Sequence, residues 1–396
     1  MKIRISAILS VLTYLMTFFV YNNTIKYVFI VATAICLVIG FDYKSFKKHS
    51  KINTLSIIFC AVTVIFSIAN RHNSFERNVV LASIVFAAVF LEFLFSMEYI
   101  SDRGKTDLMI KIYFYLTLAV TLLTDFFILT KGASDGLYLV GTKFTVAYTH
   151  FNLIGFYYLY NKTRSQKSIL NKRDRLVATY VVYLIMILLT AFISIKTDCM
   201  TGVVGLAMLV LMLLLSNHAS RFFINRITLF CSTAISFWFL WIYDVILKNR
   251  VISNFVTNNL NTNLTLTGRT EIYDSIPRIM SGHWLYGYGY GSAFDVCSKR
   301  IGYSDTQNAL MQVMLEIGVV GSVLLIIWQL YVFFRLKRTP SVYSYSLPIV
   351  VLIYVYILIG TIEITYNIQY YCLFLMIYAL ANDWKLSKTN EDIDKT

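Results

Sequence analysis

The chain has 396 residues, 58% of them hydrophobic and 14% charged, with only three prolines. That composition excludes a soluble globular class. The formal net charge of +14 does not indicate nucleic acid as a partner, because most of the basic residues sit in short connections between apolar runs and form no basic domain.

Apolar runs of about 17–25 residues are long enough to cross a bilayer core of about 30 Å as helices. In chain order such runs lie near 5–21, 24–41, 52–69, 78–96, 109–130, 144–160, 176–195, 199–216, 227–243, 309–334, 345–362 and 367–383. They predict an all-α polytopic membrane bundle of about 12 transmembrane helices, a single integral membrane domain over 1–396. Lys2 and Arg4 precede the first run as they would in a signal peptide. No small-residue cleavage site follows, and a second run begins at once, so a retained helix is expected.

Alternate connections carry Lys44, Lys47, Lys48 and Lys51, then Lys162, Arg164, Lys167, Lys172, Arg173 and Arg175, then Arg335, Lys337 and Arg338. This asymmetry predicts a multi-pass cell-membrane protein with both termini cytoplasmic. The 161–175 connection is too short for a nucleotide-binding βαβ domain, and no phosphate-loop motif occurs elsewhere. The polar tail 385–396 is expected in the cytoplasm. Its Asp392-Ile393-Asp394 resembles a metal motif of nucleotide-sugar enzymes but has no fold around it. Cys36, Cys60, Cys231 and Cys372 lie within apolar runs, Cys199 at a run's edge, and Cys297 alone well inside a long loop. Neither a disulfide framework nor metal-ligand spacing results. No cofactor and no metal are expected.

The one long polar insert, 244–308, is placed outside the membrane by the same asymmetry. Its Arg250, Arg269, Arg278, Lys299 and Arg300 run against the bias, which makes them more informative than the inner lysines. Asn258, Asn259, Asn261 and Asn263 predict coil, followed by a helix from Arg269 to about Met280. Ile272, Ile276 and Ile279 recur at helical spacing, which suits a helix lying on the membrane surface. Arg269 and Arg278 are half a turn out of phase on a straight helix, so both grip one anion only if Pro277 breaks it.

Tyr286, Tyr288 and Tyr290 alternate with Gly287, Gly289 and Gly291 after His283-Trp284. Flat aromatic faces stack on sugar rings beside a tightly turning backbone, or else they anchor the loop at headgroup level. Lys196-Thr197-Asp198 lies at the outer ends of two runs, where charge is costly unless paired locally or functional. Glu92 and Asp125 are expected to bond neighbouring helices, and His150 either to do the same or to line a cavity. Glu316, two turns beyond Asn308, can face a cavity under the loop.

Gly268-Arg269, the Gly287–Gly291 repeat, Gln307-Asn308-Ala309-Leu310 and Leu315-Glu316-Ile317-Gly318 together resemble the O-antigen polymerase and O-antigen ligase superfamily. Its members carry G-R, P-x-x-G-x-G-x-G and H-N-x-x-L…E-x-G elements in and after a large extracytoplasmic loop. Tyr138–His150 is similar to the matching stretch of capsule and exopolysaccharide polymerases from Gram-positive bacteria. The motif-bearing part covers 265–321, and elsewhere the likeness is one of hydropathy. The sequence departs from the pattern twice. His283-Trp284 stands where the family often has proline, and Gln307 where many members have histidine. That histidine is the proposed base or acceptor-orienting group of the ligase branch, and glutamine can hydrogen-bond but cannot take a proton.

The resemblance implies a metal-independent membrane glycosyltransferase, a polysaccharide polymerase. Such an enzyme moves a growing glycan from undecaprenyl diphosphate onto a new undecaprenyl-diphosphate-linked oligosaccharide at the outer face of the membrane. Implied partners are that lipid-linked substrate, the bilayer, and flippase and chain-length regulator proteins. On this reading Arg269 holds the diphosphate, helped by Lys196, Arg250 or Arg278, and Asp305 or His283 orients or deprotonates the acceptor. Tyr286, Tyr288 and Tyr290 line the sugar path, with Gln307, Asn308 and Glu316 as further substrate contacts. Two alternatives stay open: an O-antigen-ligase-type glycan transferase, which Gln307 disfavours, and a flippase or transporter of lipid-linked oligosaccharide. The latter suits twelve runs with a basic connection after the sixth, but not the long outer loop or the lack of internal repeats.

Overall fold

The computed structural model describes residues 2–18, 23–73, 75–132, 137–164, 172–247 and 269–383. Among these, an isolated bridge between Tyr138 and Gly141 is the sole departure from an all-helical fold. The coil expected at 258–263 and the tail 385–396 lie outside the described residues.

Each apolar run is helical. Helices occupy Lys2–Phe18, Asn23–Gly40, Ser50–Ala69, Val79–Asp102, Thr106–Thr130, Lys143–Arg164, Lys172–Lys196, Met200–Ser216, Arg226–Leu247, Ala309–Lys337, Tyr343–Ile359 and Ile368–Asn382. Among the described residues six helical stretches, Ser50–Ala69, Val79–Asp102, Thr106–Thr130, Thr179–Lys196, Ala309–Lys337 and Pro340–Ile359, are long and apolar enough to cross a membrane. Shorter apolar helices accompany them. The chain is thus a helical protein built for a bilayer. Asparagines start several of these helices. Asn78 accepts from Val80 N and Leu81 N at 3.1 and 3.0 Å, and Asn367 accepts from Tyr370 N at 3.2 Å.

Burial separates the centre of the bundle from its lipid face. The Pro340–Ile359 span is 83% buried, whereas Thr179–Lys196 is 17% buried and exposes Leu184, Leu188 and Phe192. Apolar side chains facing outward are what a hydrocarbon solvent allows and water does not. The Ile368–Asn382 helix packs against Val79–Asp102, Ala309–Lys337 and Tyr343–Ile359, and together these form the middle of the bundle.

Buried polar groups cross-link the helices. His150 Nε2 lies 3.0 Å from Asp125 Oδ1, and Thr190 Oγ1 lies 3.2 Å from His150 Nδ1, so this histidine is a helix–helix bond as expected. At the end of the bundle bearing Lys44–Lys51, Ser45, Lys48 and His49 all converge on Asp102. Near the other end, Asp198 pairs with Lys143 at 3.8 Å, and Lys143 Nζ also donates to the Asp198 carbonyl at 2.8 Å. This replaces the local Lys196–Asp198 pair: Asp198 turns left-handed, with φ 51°, and Lys143 caps that turn, leaving Lys196 exposed at its helix end.

Candidate functional site

The described part of the polar insert folds as its own small layer. A helix, Arg269–Ile279, runs through Pro277 without ending there. A second helix, Ala293–Ile301, follows the glycine–tyrosine turn and closes on left-handed Gly302. Ile272, Tyr273, Ile276, Ile279 and Met280 are buried against Val296, Cys297, Met311, Met314 and Leu315. The helix expected to lie on the membrane surface therefore spends its apolar face on protein, because the start of the Ala309–Lys337 helix offers Met311, Met314 and Leu315 to cover it.

Two of the motifs singled out above meet in space. The Ala309–Lys337 helix breaks at Ile317 (φ −125°, ψ 15°) and Gly318 (φ 68°, ψ −177°). The glycine–tyrosine turn enters the break. Tyr288 N donates to Leu315 O at 2.9 Å and Gly289 N to Glu316 O at 2.8 Å, while Val319 N donates to Trp284 O at 2.8 Å and Val320 N to Leu285 O at 3.3 Å. The carbonyls of Leu315 and Glu316 and the amides of Val319 and Val320 at the break thus find partners in the turn, as apolar surroundings demand. A Cβ on Gly318 would lie 2.2 Å from Leu285 O, and one on Gly287 2.6 Å from the Glu316 carbonyl carbon. At these two positions only glycine permits the contact.

Beside this junction lies a cavity of ≈ 430 Å³. Glu316 and Gln312 line it from the broken helix, Tyr290 and Gly291 from the loop, Arg77 from the turn packed beside Gly291, Lys26 from the Asn23–Gly40 helix, and Tyr366, Asn367 and Tyr371 from the last helix and the turn before it. Glu316 is 9% exposed. Gln312 Nε2 donates to its Oε1 at 3.2 Å, and the backbone amides of Gly291 and Ala293 lie against the carboxylate. Arg77 acts on it through space without a direct pair, and among the described residues neither Arg77 nor Lys26 has a carboxylate within ion-pair distance. The two cations repel each other across one cavity. An anion placed between them relieves that repulsion.

The turn before the Val79–Asp102 helix is tied to the loop, and that fixes Arg77. Asp295 accepts from Glu76 N at 3.3 Å and Arg77 N at 3.5 Å, Asn70 Nδ2 donates to Gly287 O at 3.2 Å, and Tyr290 N donates to Ser67 Oγ at 2.9 Å. Packing also brings Arg77 close to Gly291, where a Cβ would lie 3.2 Å from Arg77 Nε.

The sequence-predicted residues divide around this cavity. Glu316 and Tyr290 line it. Tyr290 stacks on Phe86 with ring centroids 4.5 Å apart, and burial raises its phenol above the ordinary range. Tyr288 is instead buried in the loop. Its ring is covered by His283 at 3.9 Å and Arg300 at 5.0 Å, and its hydroxyl donates to Ile279 O, so it offers no face to a sugar. Tyr286 packs beside Phe66 and His283 at the protein's surface. His283 Nδ1 is held 3.2 Å from Gly287 O. There it braces the turn.

Asn308 is fully buried and caps the Ala309–Lys337 helix. Its Oδ1 accepts from Met311 N at 3.0 Å and its Nδ2 donates to Ser236 O at 3.0 Å and Thr361 O at 3.3 Å, which leaves nothing for a substrate. Asp305 Oδ1 accepts from Gln307 N at 2.8 Å and Gln307 Nε2 at 2.9 Å, holding Gln307 in its left-handed conformation (φ 54°). Neither residue lines the cavity. Arg278 is exposed on its helix and Lys196 sits outside the cavity. Arg269 is described only by its backbone, as the first residue of its helix, and Arg250 lies outside the described residues.

Lys26, Arg77, Gln312, Tyr366 and Asn367 were not among the sequence candidates. A signal for Arg77 exists: on the topology expected from the charge asymmetry, the 70–78 connection falls on the same side as the long loop, so Arg77 runs against that bias as Arg269 does. Among the described residues no group of three or more histidine, cysteine, aspartate or glutamate side chains is arranged to hold a metal. Chemically, the cavity offers two cations for an anion, one sheltered carboxylate as a proton acceptor, and amide and phenol groups for hydroxyls. No family model and no curated protein matches this chain.

Proposed function

We propose that this protein is a polysaccharide polymerase of the cell membrane, joining undecaprenyl-diphosphate-linked oligosaccharide repeat units at its outer face. On this reading twelve helices cross the bilayer, both termini are cytoplasmic and the 244–308 loop is extracytoplasmic. The observation that carries the proposal is the pairing of Lys26 and Arg77, without carboxylate partners, with the sheltered Glu316 in one cavity under the loop. A glycosyl diphosphate donor needs that set. Arg77 and Lys26 hold the diphosphate as charge develops on it, Arg77 offering a bidentate fork. An acceptor hydroxyl attacks the anomeric carbon, the bond from that carbon to the diphosphate oxygen breaks, and the hydroxyl proton passes to Glu316. Undecaprenyl diphosphate leaves with the bonding pair, so no nucleotide or redox partner enters the balance. Gln312 orients Glu316 through their 3.2 Å bond. Arg269, at the start of the loop helix, remains a further candidate for the diphosphate.

A transporter reading draws on one observation, the broken helix, since discontinuous helices bind substrates in transporters. Here, however, the amides of Val319 and Val320 at the break are bonded to Trp284 and Leu285 and are not free for an ion. The discriminating experiment uses a strain lacking the chain, complemented with Arg77→Ala. Single repeat units accumulating outside support the polymerase, and lipid-linked units accumulating inside support transport and overturn the proposal. Topology is tested separately with a membrane-impermeant thiol reagent on intact cells, which labels Asn259→Cys and not Ser168→Cys.

A further inference from the structure

At the opposite end of the bundle from the loop, a second cavity of ≈ 600 Å³ opens between the Asn23–Gly40 and Val79–Asp102 helices. Its deep walls are Ala34, Leu37, Ala88 and Leu91, and its outer end is Asp42, Ser45 and Arg103. From Ala88 to Arg103 the helix advances about 22 Å at 1.5 Å per residue. The cavity is thus a long apolar slot with a polar mouth, within the size range of ligand sites.

Three buried polar atoms in this slot lack partners. Glu92 is 7% exposed and Glu98 3% exposed, yet Glu92 Oε2 and Glu98 Oε1 have no hydrogen bond, and neither does Arg103 Nε. Asn53 reaches the other Glu98 oxygen at 3.4 Å. Arg103 is held over the Tyr99 ring, 3.4 Å from its centroid, so it is fixed at the mouth. Buried polar groups in a bundle are normally satisfied, and two carboxyl groups left open along one apolar slot point to a ligand that brings donors.

We infer that this slot binds a phospholipid of the surrounding bilayer whose headgroup carries a primary amine. The slot's polar groups select it. Arg103 is the one cation among the lining residues and answers a phosphate, while Asp42 at the mouth and the open carboxyl oxygens of Glu92 and Glu98 call for a cationic N–H donor, which an anionic headgroup lacks. An ammonium with N–H donors meets the carboxylates of Asp42 and Glu98, the phosphate meets Arg103, and one acyl chain fills the slot past Glu92. A trimethylated amine has the charge but no N–H donor, so it satisfies these oxygens poorly. This inference needs only that the bundle sits in a bilayer, and it stands apart from the polymerase reading.

The test uses the full chain purified in detergent and supplemented with phosphatidylethanolamine, phosphatidylcholine or phosphatidylglycerol. Native mass spectrometry reads the bound lipid and thermal melting reads stabilisation. Phosphatidylethanolamine is retained and raises the melting temperature, and the other two are retained at least about tenfold less, as expected for loss of charge-assisted hydrogen bonds. Ala88→Trp fills the slot and abolishes retention. The double variant Glu92→Gln with Glu98→Gln keeps the shape and removes the preference among headgroups, which covers the case in which Ala88→Trp does not fold. Equal retention of all three lipids by the unaltered protein, or a preference that survives the double variant, overturns the inference.

Discussion

Gly318→Ala tests the junction on which the whole site rests. Gly318 has φ 68° and ψ −177°, a region open essentially to glycine alone, and forcing alanine into it costs about 1–3 kcal/mol. The new methyl group would also start 2.2 Å from Leu285 O and 2.5 Å from Tyr286 N, backbone atoms that cannot swing aside as a flexible side chain does. Relief requires the turn to lift, which gives up the bonds from Val319 N to Trp284 O and from Val320 N to Leu285 O. At about 0.5–1.5 kcal/mol each these add about 1–3 kcal/mol, so the substitution destabilises by about 2–6 kcal/mol in all. Gly302→Ala is the control. Gly302 is also left-handed, at φ 75°, but nothing lies within 4 Å of its added Cβ, so the cost is the conformational one of about 1–2 kcal/mol. Thermal melting in detergent and in vitro chain extension with purified lipid-linked repeats give the two readouts. Gly318→Ala melts well below Gly302→Ala and loses chain extension, because lifting the turn carries Tyr290 and Gly291 away from Glu316. If the two variants melt together and extend chains equally, the junction does not organise the site and the reasoning fails.

The remaining predictions concern single side chains. Glu316→Gln keeps the volume beside Gln312 but cannot take a proton, so chain extension falls by about 10²–10⁴-fold with the protein still in the membrane; an unchanged rate removes Glu316 as the base. Asp305→Asn affects melting more than rate, because Asp305 braces Gln307 and lies away from the cavity; a rate loss as deep as that of Glu316→Gln would return the base role to Asp305. Burial pushes the Cys297 thiol up to about 12. At pH 8 its thiolate fraction is therefore about 10⁻⁴, against about a quarter for an unfolded cysteine of pKa about 8.5. Alkylation followed by mass spectrometry finds Cys297 unmodified in the folded protein and modified after denaturation, and rapid labelling at pH 8 without denaturant would show that the loop layer is open.

Helix positions were legible from the chain alone, since a bilayer core demands about twenty apolar residues in a row and each such run became a helix. Local chemistry was also legible where a residue acts on its neighbours. The Ile272, Ile276 and Ile279 stripe announced a helix, and the close spacing of Gly287, Gly289 and Gly291 announced a tight turn. What covers a stripe, or what a turn enters, was not. The same isoleucines suit a lipid surface or a protein one, and only packing against Met311, Met314 and Leu315 decided between them. Tyr288 and Tyr290 are two residues apart and chemically identical, yet one is sealed under His283 and the other faces the cavity, because the turn's direction is set by the break at Gly318. Glu316 meets Lys26 and Arg77 from distant parts of the chain. Periodicity and short motifs report on neighbours within a few residues, whereas a site of this kind exists only once separate helices have packed and left a gap between their ends.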